Sequence, residues 1–218
     1  MSETRMYYGL NGLDLKMRRH LGFDGGFFVE VGANDGVTQS NTLHYERHRG
    51  WRGVLVEPSH CNYFKCRANR SPESQVFCAA CVPFNYAERF VPMVYSSLMS
   101  VSELEGSDLP DPRQHAESGR QYLPPHEDVV AYGAVPRTLN DILIEAKAPL
   151  SIDFFSLDVE GNELQVLEGV DHAQFRFRHL LIECRSLPRM TRYLESHGYR
   201  YIEALSGHDH LFSDVRAR

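Results

Sequence analysis

The stretch FFVEVGANDG, residues 27–36, constrains the fold of this chain more than any other. Phe27, Phe28, Val29 and Val31 form an apolar, β-prone run that meets Gly32, and helical character resumes only after Gly36, so the pattern is strand, tight turn, helix. The E-x-G-x-x-x-G spacing from Glu30 to Gly36 lacks the middle glycine of a dinucleotide-binding turn, and with it the close backbone approach to a pyrophosphate. Gly32 and Gly36 still let the chain turn and a ligand approach the backbone. Glu30 and Asp35 make the turn acidic, which repels phosphates and suits a ligand carrying an ammonium and a sulfonium, as S-adenosylmethionine does.

Length and charge narrow the context. A chain of 218 residues suits one domain, 1–218, that buries about 70% of the surface its unfolded form exposes. No apolar run approaches the ~20 residues of a membrane span, so no membrane partner is expected. Residues 1–22 lack the apolar core of a signal peptide and read as an N-terminal docking helix with Leu10, Leu13, Leu15 and Met17 on its apolar face; a cytoplasmic location is the expectation. The formal net charge of -6, without a dense basic run, disfavours a nucleic-acid partner. Five cysteines, an odd number, argue for reduced thiols over a disulfide framework. Nothing in the sequence specifies an oligomeric state.

The rest of the chain alternates strand and helix, which makes it an α/β protein. Residues 40–50 read as a helix capped by Ser40 or Asn41 and stopped at Gly50. Val54, Leu55 and Val56 make a buried strand that delivers Glu57, roughly twenty residues past the glycine turn, where an acid meets a ribose in a βαβ unit; Pro58 ends the strand. A helix over 60–69 and a strand over 75–80 follow, with small Ala79 and Ala80 leaving room for an adenine. Residues 88–101 read as an irregular hairpin that offers Ser96 and Ser97 hydroxyls to the crevice. Residues 102–132 are polar and proline-rich, too long for an ordinary connection, and so a substrate lid or a disordered insertion. Thr138 and Asp141 have the spacing of a capping box. Phe154, Phe155 and Leu157 form a central strand that delivers Asp158 and Glu160, Gly161 turns the chain into a helix, and LLIEC ends a further strand at Glu183. A helix over 190–197, a strand, the turn SGHDH and a last strand complete the chain.

Ligands of open α/β sheets bind outside the carboxyl ends of the strands, and five acids fall at such ends: Glu30, Glu57, Asp158, Glu160 and Glu183. The blocks VEVGANDG, SNTLHYERHRGWRGVLVEPS, FFSLDVEGNELQVLEG and LLIEC resemble, in order and spacing, the FkbM family of S-adenosylmethionine-dependent methyltransferases. The resemblance covers residues 27–60 and 136–184. It implies a Rossmann-like class I methyltransferase fold, a mostly parallel seven-stranded sheet with helices on both faces, and methyl transfer to a hydroxyl of a sugar or other small-molecule or glycosidic acceptor. On this sequence it places Glu30, Gly32, Asn34, Asp35 and Gly36 at the methionine end of S-adenosylmethionine, Glu57 at the ribose and Asp158 near the transferred methyl. Asn41, Pro58, Ala79 and Ser97 complete the candidate cofactor wall.

Methyl transfer is an in-line displacement, so the protein mainly orients the reactants, and an alcohol acceptor benefits from a base. The candidates are Glu160, Glu183 and, from the SGHDH turn, His208, Asp209 and His210; histidine's ordinary titration range suits the task. A polar turn that merely contains histidines is the plainer reading of His208. The same acids permit Mg²⁺ without requiring it, and no metal is expected. Cys61, Cys66, Cys78 and Cys81 have zinc-like spacings, but the geometry of a strand end favours buried thiols. His44, His48 and His60 read as surface residues. Two rivals stay open: a non-catalytic S-adenosylmethionine-binding or interaction domain on a methyltransferase fold, and a nicotinamide dehydrogenase, which the missing glycine disfavours.

Overall fold

A computed structural model describes residues 6–216. Its first half runs α1 (Leu13–Met17), β1 (Phe27–Val31), α2 (Leu43–Arg49), β2 (Arg52–Val56), α3 (His60–Asn69), β3 (Gln75–Phe77), β4 (Ala80–Cys81), β5 (Val91–Tyr95) and β6 (Val101–Ser102). It continues α4 (Pro112–Ser118), β7 (Val130–Ala134), β8 (Pro136–Arg137), α5 (Leu139–Glu145), β9 (Ser151–Leu157), α6 (Glu163–Leu167), β10 (Arg176–Glu183), α7 (Leu187–Ser196), β11 (Tyr199–Ala204) and β12 (Asp209–Asp214).

Seven strands form the central sheet in the order β11-β12-β10-β9-β1-β2-β3. The ladders from β10 through β9, β1 and β2 to β3 are parallel, and β12 runs antiparallel between β10 and β11. This is the mostly parallel seven-stranded sheet, with helices on both faces, expected from the resemblance. Strand order reverses between β1 and β9, which pair in register from Phe28↔Phe154 to Val31↔Leu157; a ligand crevice opens at the carboxyl side of such a switch point.

Both sheet faces are covered, so the strands read as apolar runs without polar alternation. On one face Val29, Val31, Phe155, Leu157 and Ile182 pack with Ile142, Leu143, Val166, Leu167, Met190 and Leu194 of α5, α6 and α7. On the other, Phe28, Leu55, Phe154 and Leu211 pack with Leu13, Met17, Tyr45, Trp51 and Cys66. Neighbouring strand residues point to opposite faces, so Glu30 follows Phe28 toward the second layer. That single consequence of pleating decides the environment of the first strand-end acid.

Several expectations need correction. The helix expected within residues 1–22 is a 3-10 turn, Leu10–Gly12, followed by the five-residue α1, because Asn11 and Gly12 adopt left-handed backbone with φ of 53° and 67°; its residues 1–5 lie outside the described residues. Leu13 and Met17 are buried while Leu10 and Leu15 are exposed. The third strand stops at Phe77 rather than Ala80, and Ala80–Cys81 pairs instead with Pro136–Arg137. The expected hairpin over 88–101 is part of a three-stranded sheet, β6-β5-β7, whose third strand comes from within 102–132 and beyond. Within that segment Asp111 caps α4 by accepting from Gln114 N at 2.9 Å. His44, expected at the surface, is buried and stacks on Tyr7 at 4.5 Å. The cap at Thr138 is as expected, accepting from Asp141 N at 3.0 Å.

Candidate active site

The carboxyl ends of β1, β2, β9 and β10 and the β11–β12 turn border one cavity of about 510 Å³, within the range of small-molecule sites. Six acids reach its wall: Glu30, Glu57, Asp158, Glu160, Glu183 and Asp209. Among the described residues no lysine or arginine does, and His208 is the one histidine. Of the other residues singled out from the sequence, Gly32, Asn34, Asn41, Pro58, Ala79 and Ser97 line the cavity. Asp35 and Gly36 are not on its wall.

At the β1 and β2 ends the acids are tied into the protein. Glu30 is held by Arg70, with Nη1 3.1 Å from Oε2, and accepts from the Thr42 hydroxyl at 2.6 Å, the Ser40 hydroxyl and Asn41 N. Arg70 is completely buried and also pairs with Glu46 at 3.1 Å. The carboxylate of Asp35 accepts from Val37 N, Thr38 N and the Thr38 hydroxyl, closing its own turn. Gly36, at φ 79°, lets that turn sit against Arg70, whose Cγ would be 2.9 Å from an added Cβ. Glu57 accepts from Asn34 N and Ser59 N, both at 2.9 Å. Burial outweighs those two bonds and pushes the Glu57 carboxyl up to about 7.

Gly32 has a sharper constraint. Its φ is 89°, and a Cβ there would lie 1.7 Å from the Asp158 carbonyl oxygen. No other residue allows the β1 turn and the β9 end to meet.

On the β9 and β10 side the acids face one another. Asp158, Glu160 and Glu183 bring carboxylate oxygens within 4.8 Å of each other, the one such group of potential metal ligands among the described residues. Asp158 is exposed to the cavity; desolvation by the surrounding wall first, then the Glu183 and Glu160 charges, raise its carboxyl above the ordinary range. Burial and Glu183 likewise push Glu160 up to about 7. Like charges this close disfavour one another's ionised form, which is why the Asp158 and Glu160 carboxyls are raised. Arg185 Nη2, at 3.3 Å, and His115 Nε2, at 2.9 Å, lie against Glu160 Oε2 from outside. Beside it Glu163 accepts from Val159 N and Gly161 N, both at 3.0 Å, and so shapes the acid loop.

The 103–122 segment covers this loop. Asp108 N donates to the Gly161 carbonyl at 2.7 Å, and Arg189 Nη1 donates to the Gly106 carbonyl at 2.8 Å and to Asp108 Oδ1 at 3.0 Å. Ser102 donates to Asn162 Oδ1 at 2.7 Å, leaving Asn162 Nδ2 buried without a protein partner; Ser96 Oγ is in the same state. His208 is exposed at the rim, where its carbonyl accepts from Cys184 N at 2.9 Å, one residue beyond Glu183. Asp209 pairs with Glu183 across the sheet, so the last turn does reach the acid rim.

Sequence reasoning missed Arg70, Glu163, His115 and the wall residues Asn11 and Gln39. Glu163 had a signal, the acid two residues after the Gly161 turn. Arg70 and His115 had none, because their partners lie 40 and 45 residues away in the chain (70 minus 30 and 160 minus 115).

No curated protein matches this sequence. Solved structures similar to the chain include the human methyltransferase 10 domain containing protein, at 13% identity over 93% of this chain and 81% of that one, with a TM-score of 0.49. Precorrin-6y C5,15-methyltransferase from Geobacter metallireducens GS-15 is 10% identical over 97% and 91%, with a TM-score of 0.43. The METTL16 MTase domain is 12% identical over 93% and 67%, with a TM-score of 0.47. The sequence itself matches the Methyltransferase FkbM domain over residues 30–201, from the first strand-end acid through β10 and into β11. The chain belongs to the FkbM methyltransferase family.

Proposed function

We propose that this domain transfers the methyl group of S-adenosylmethionine to a hydroxyl of a small or glycosidic acceptor. The observation that carries the reading is the cavity wall: acids from four parallel strand ends and no described lysine or arginine. Such a wall favours a cationic cofactor and a neutral acceptor, and disfavours a polyanion such as RNA.

The residues present fit the cofactor. Asn41 Oδ1 and Ser96 Oγ are buried polar atoms of the wall without partners, and small Ala79 lines the same cavity as Glu57. Each Glu57 oxygen accepts one backbone N–H, which leaves a lone pair on each for the two ribose hydroxyls. When bound, S-adenosylmethionine supplies an electrophilic methyl on a sulfonium. Asp158 lies at the meeting point of the two halves, where its N–H donates to the Val31 carbonyl at 3.1 Å. Glu160 takes the proton of the acceptor hydroxyl; its carboxyl, pushed up to about 7, matches a base acting near neutrality. Glu183 faces Asp158 and Glu160 across the acid cluster, and the 103–122 segment covers the loop that carries Glu160.

Calorimetric titration with S-adenosylhomocysteine, followed by labelled-methyl transfer to hydroxylated acceptors, tests the reading. Tight binding and a Glu160→Gln loss of turnover of about 10²–10⁴-fold are expected. A folded protein that binds no S-adenosylhomocysteine would leave an interaction domain as the better account. Full turnover in Glu160→Gln, with loss in His208→Ala, would move the base to the rim.

A further inference from the structure

The N-terminal segment forms part of the cavity wall through Leu10, Asn11 and Leu13. It is fixed from several directions. Tyr8 N donates to Asp14 Oδ2 at 2.6 Å, the Tyr45 hydroxyl donates to the Asp14 carbonyl at 2.7 Å, and Gly9 bridges to Gln39. The approach is close: a Cβ on Gly9 would lie 2.6 Å from Asn41 Oδ1. Asn11 and Gln39 both hold left-handed backbone, with φ of 53° and 60°, and both lie on the wall.

The amino-acid tail of S-adenosylmethionine presents an ammonium and a carboxylate. Glu30 would be the obvious ammonium partner, but Arg70, Ser40, Thr42 and Asn41 N already occupy its oxygens. The unpartnered acceptor is Asn41 Oδ1: the residue is 8% exposed, and its Nδ2 is committed to Ser156 Oγ at 3.1 Å. A buried carbonyl oxygen without a donor is costly, and an ammonium relieves it. The carboxylate has no described lysine or arginine on the wall to meet, so it needs neutral N–H donors, which the Asn11 and Gln39 carboxamides supply.

We propose that the N-terminal segment and the 39–41 turn together clamp the methionine tail of the cofactor: Asn41 Oδ1 accepts from the ammonium, while the Asn11 and Gln39 side chains donate to the carboxylate. This assignment rests on the cofactor reading above. It makes residues 9–13 part of the binding site and gives the tail its own recognition, separate from the ribose contact at Glu57.

The test compares two ligands, S-adenosylhomocysteine and 5′-methylthioadenosine, which keeps the adenosine and thioether but lacks the amino-acid tail. Asn11→Gly and Gln39→Gly retain the left-handed backbone and remove only the carboxamides. Each is expected to weaken S-adenosylhomocysteine about five- to tenfold and leave methylthioadenosine unchanged. Equal losses for both ligands, or none for S-adenosylhomocysteine, overturn the clamp. The wild-type protein alone gives a second measure: it should prefer S-adenosylhomocysteine by about tenfold or more, and a ratio near one also overturns it. Wild-type protein that binds neither ligand marks failure of the cofactor reading itself.

Discussion

The two halves of the crevice place the same residue type at equivalent strand ends and treat it in opposite ways. On the β1 side Glu30 faces a buried guanidinium and three further donors. On the β9 and β10 side Asp158 and Glu160 face Glu183, and desolvation together with the Glu183 charge raises both carboxyls. One half is a satisfied network that holds a shape; the other is crowded charge, with Arg185 and His115 set against Glu160 alone. A carboxylate at a strand end therefore does not define a role until its partners are known.

The contrast can be broken by removing one group from each half. Arg70→Met leaves Glu30 and Glu46 buried without their cation and should cost about 3–5 kcal/mol in chemical denaturation; a loss below 1 kcal/mol would mean that the network is dispensable. Glu160→Gln should do the reverse. Its carboxyl sits at about 7 folded against an ordinary 4.5, so the folded state binds more protons across that window. Its contribution to stability is therefore lost as pH rises from about 4.5 through 7. The variant should match wild type near pH 5 and exceed it at pH 8 by on the order of 2 kcal/mol; a parallel pH profile would refute the crowding. Glu57→Gln tests the intermediate case and should weaken S-adenosylhomocysteine by about tenfold with little change in melting temperature. Unchanged affinity would take Glu57 out of the ribose site.

Much of the sheet was legible because strands buried on both faces leave uninterrupted apolar runs, as in VLV before Glu57 and FFSL before Asp158. The strand-end acids followed from those runs. What stayed hidden depended on contacts distant in sequence. Glu30 looked like a ligand contact because its local context says nothing of Arg70, which reaches back from the end of α3. Residues 102–132 lack periodicity because their order comes from docking, through Asp108 and Gly106 onto the acid loop and Arg189. The N-terminal leucines suggested one amphipathic helix, but two left-handed residues divide the segment and turn its first part to the cavity.

That docking carries a consequence for how such a domain diversifies. The covering segment grips the loops after β9 and β10 through a few polar bonds at 106–108, and its own strands belong to a separate small sheet. Its sequence can drift, lengthen or be exchanged while the seven-stranded sheet and the Gly32 turn stay as they are. Under the proposed function, exchange of that segment would alter acceptor preference and leave the Gly32 turn and the strand-end acids unchanged.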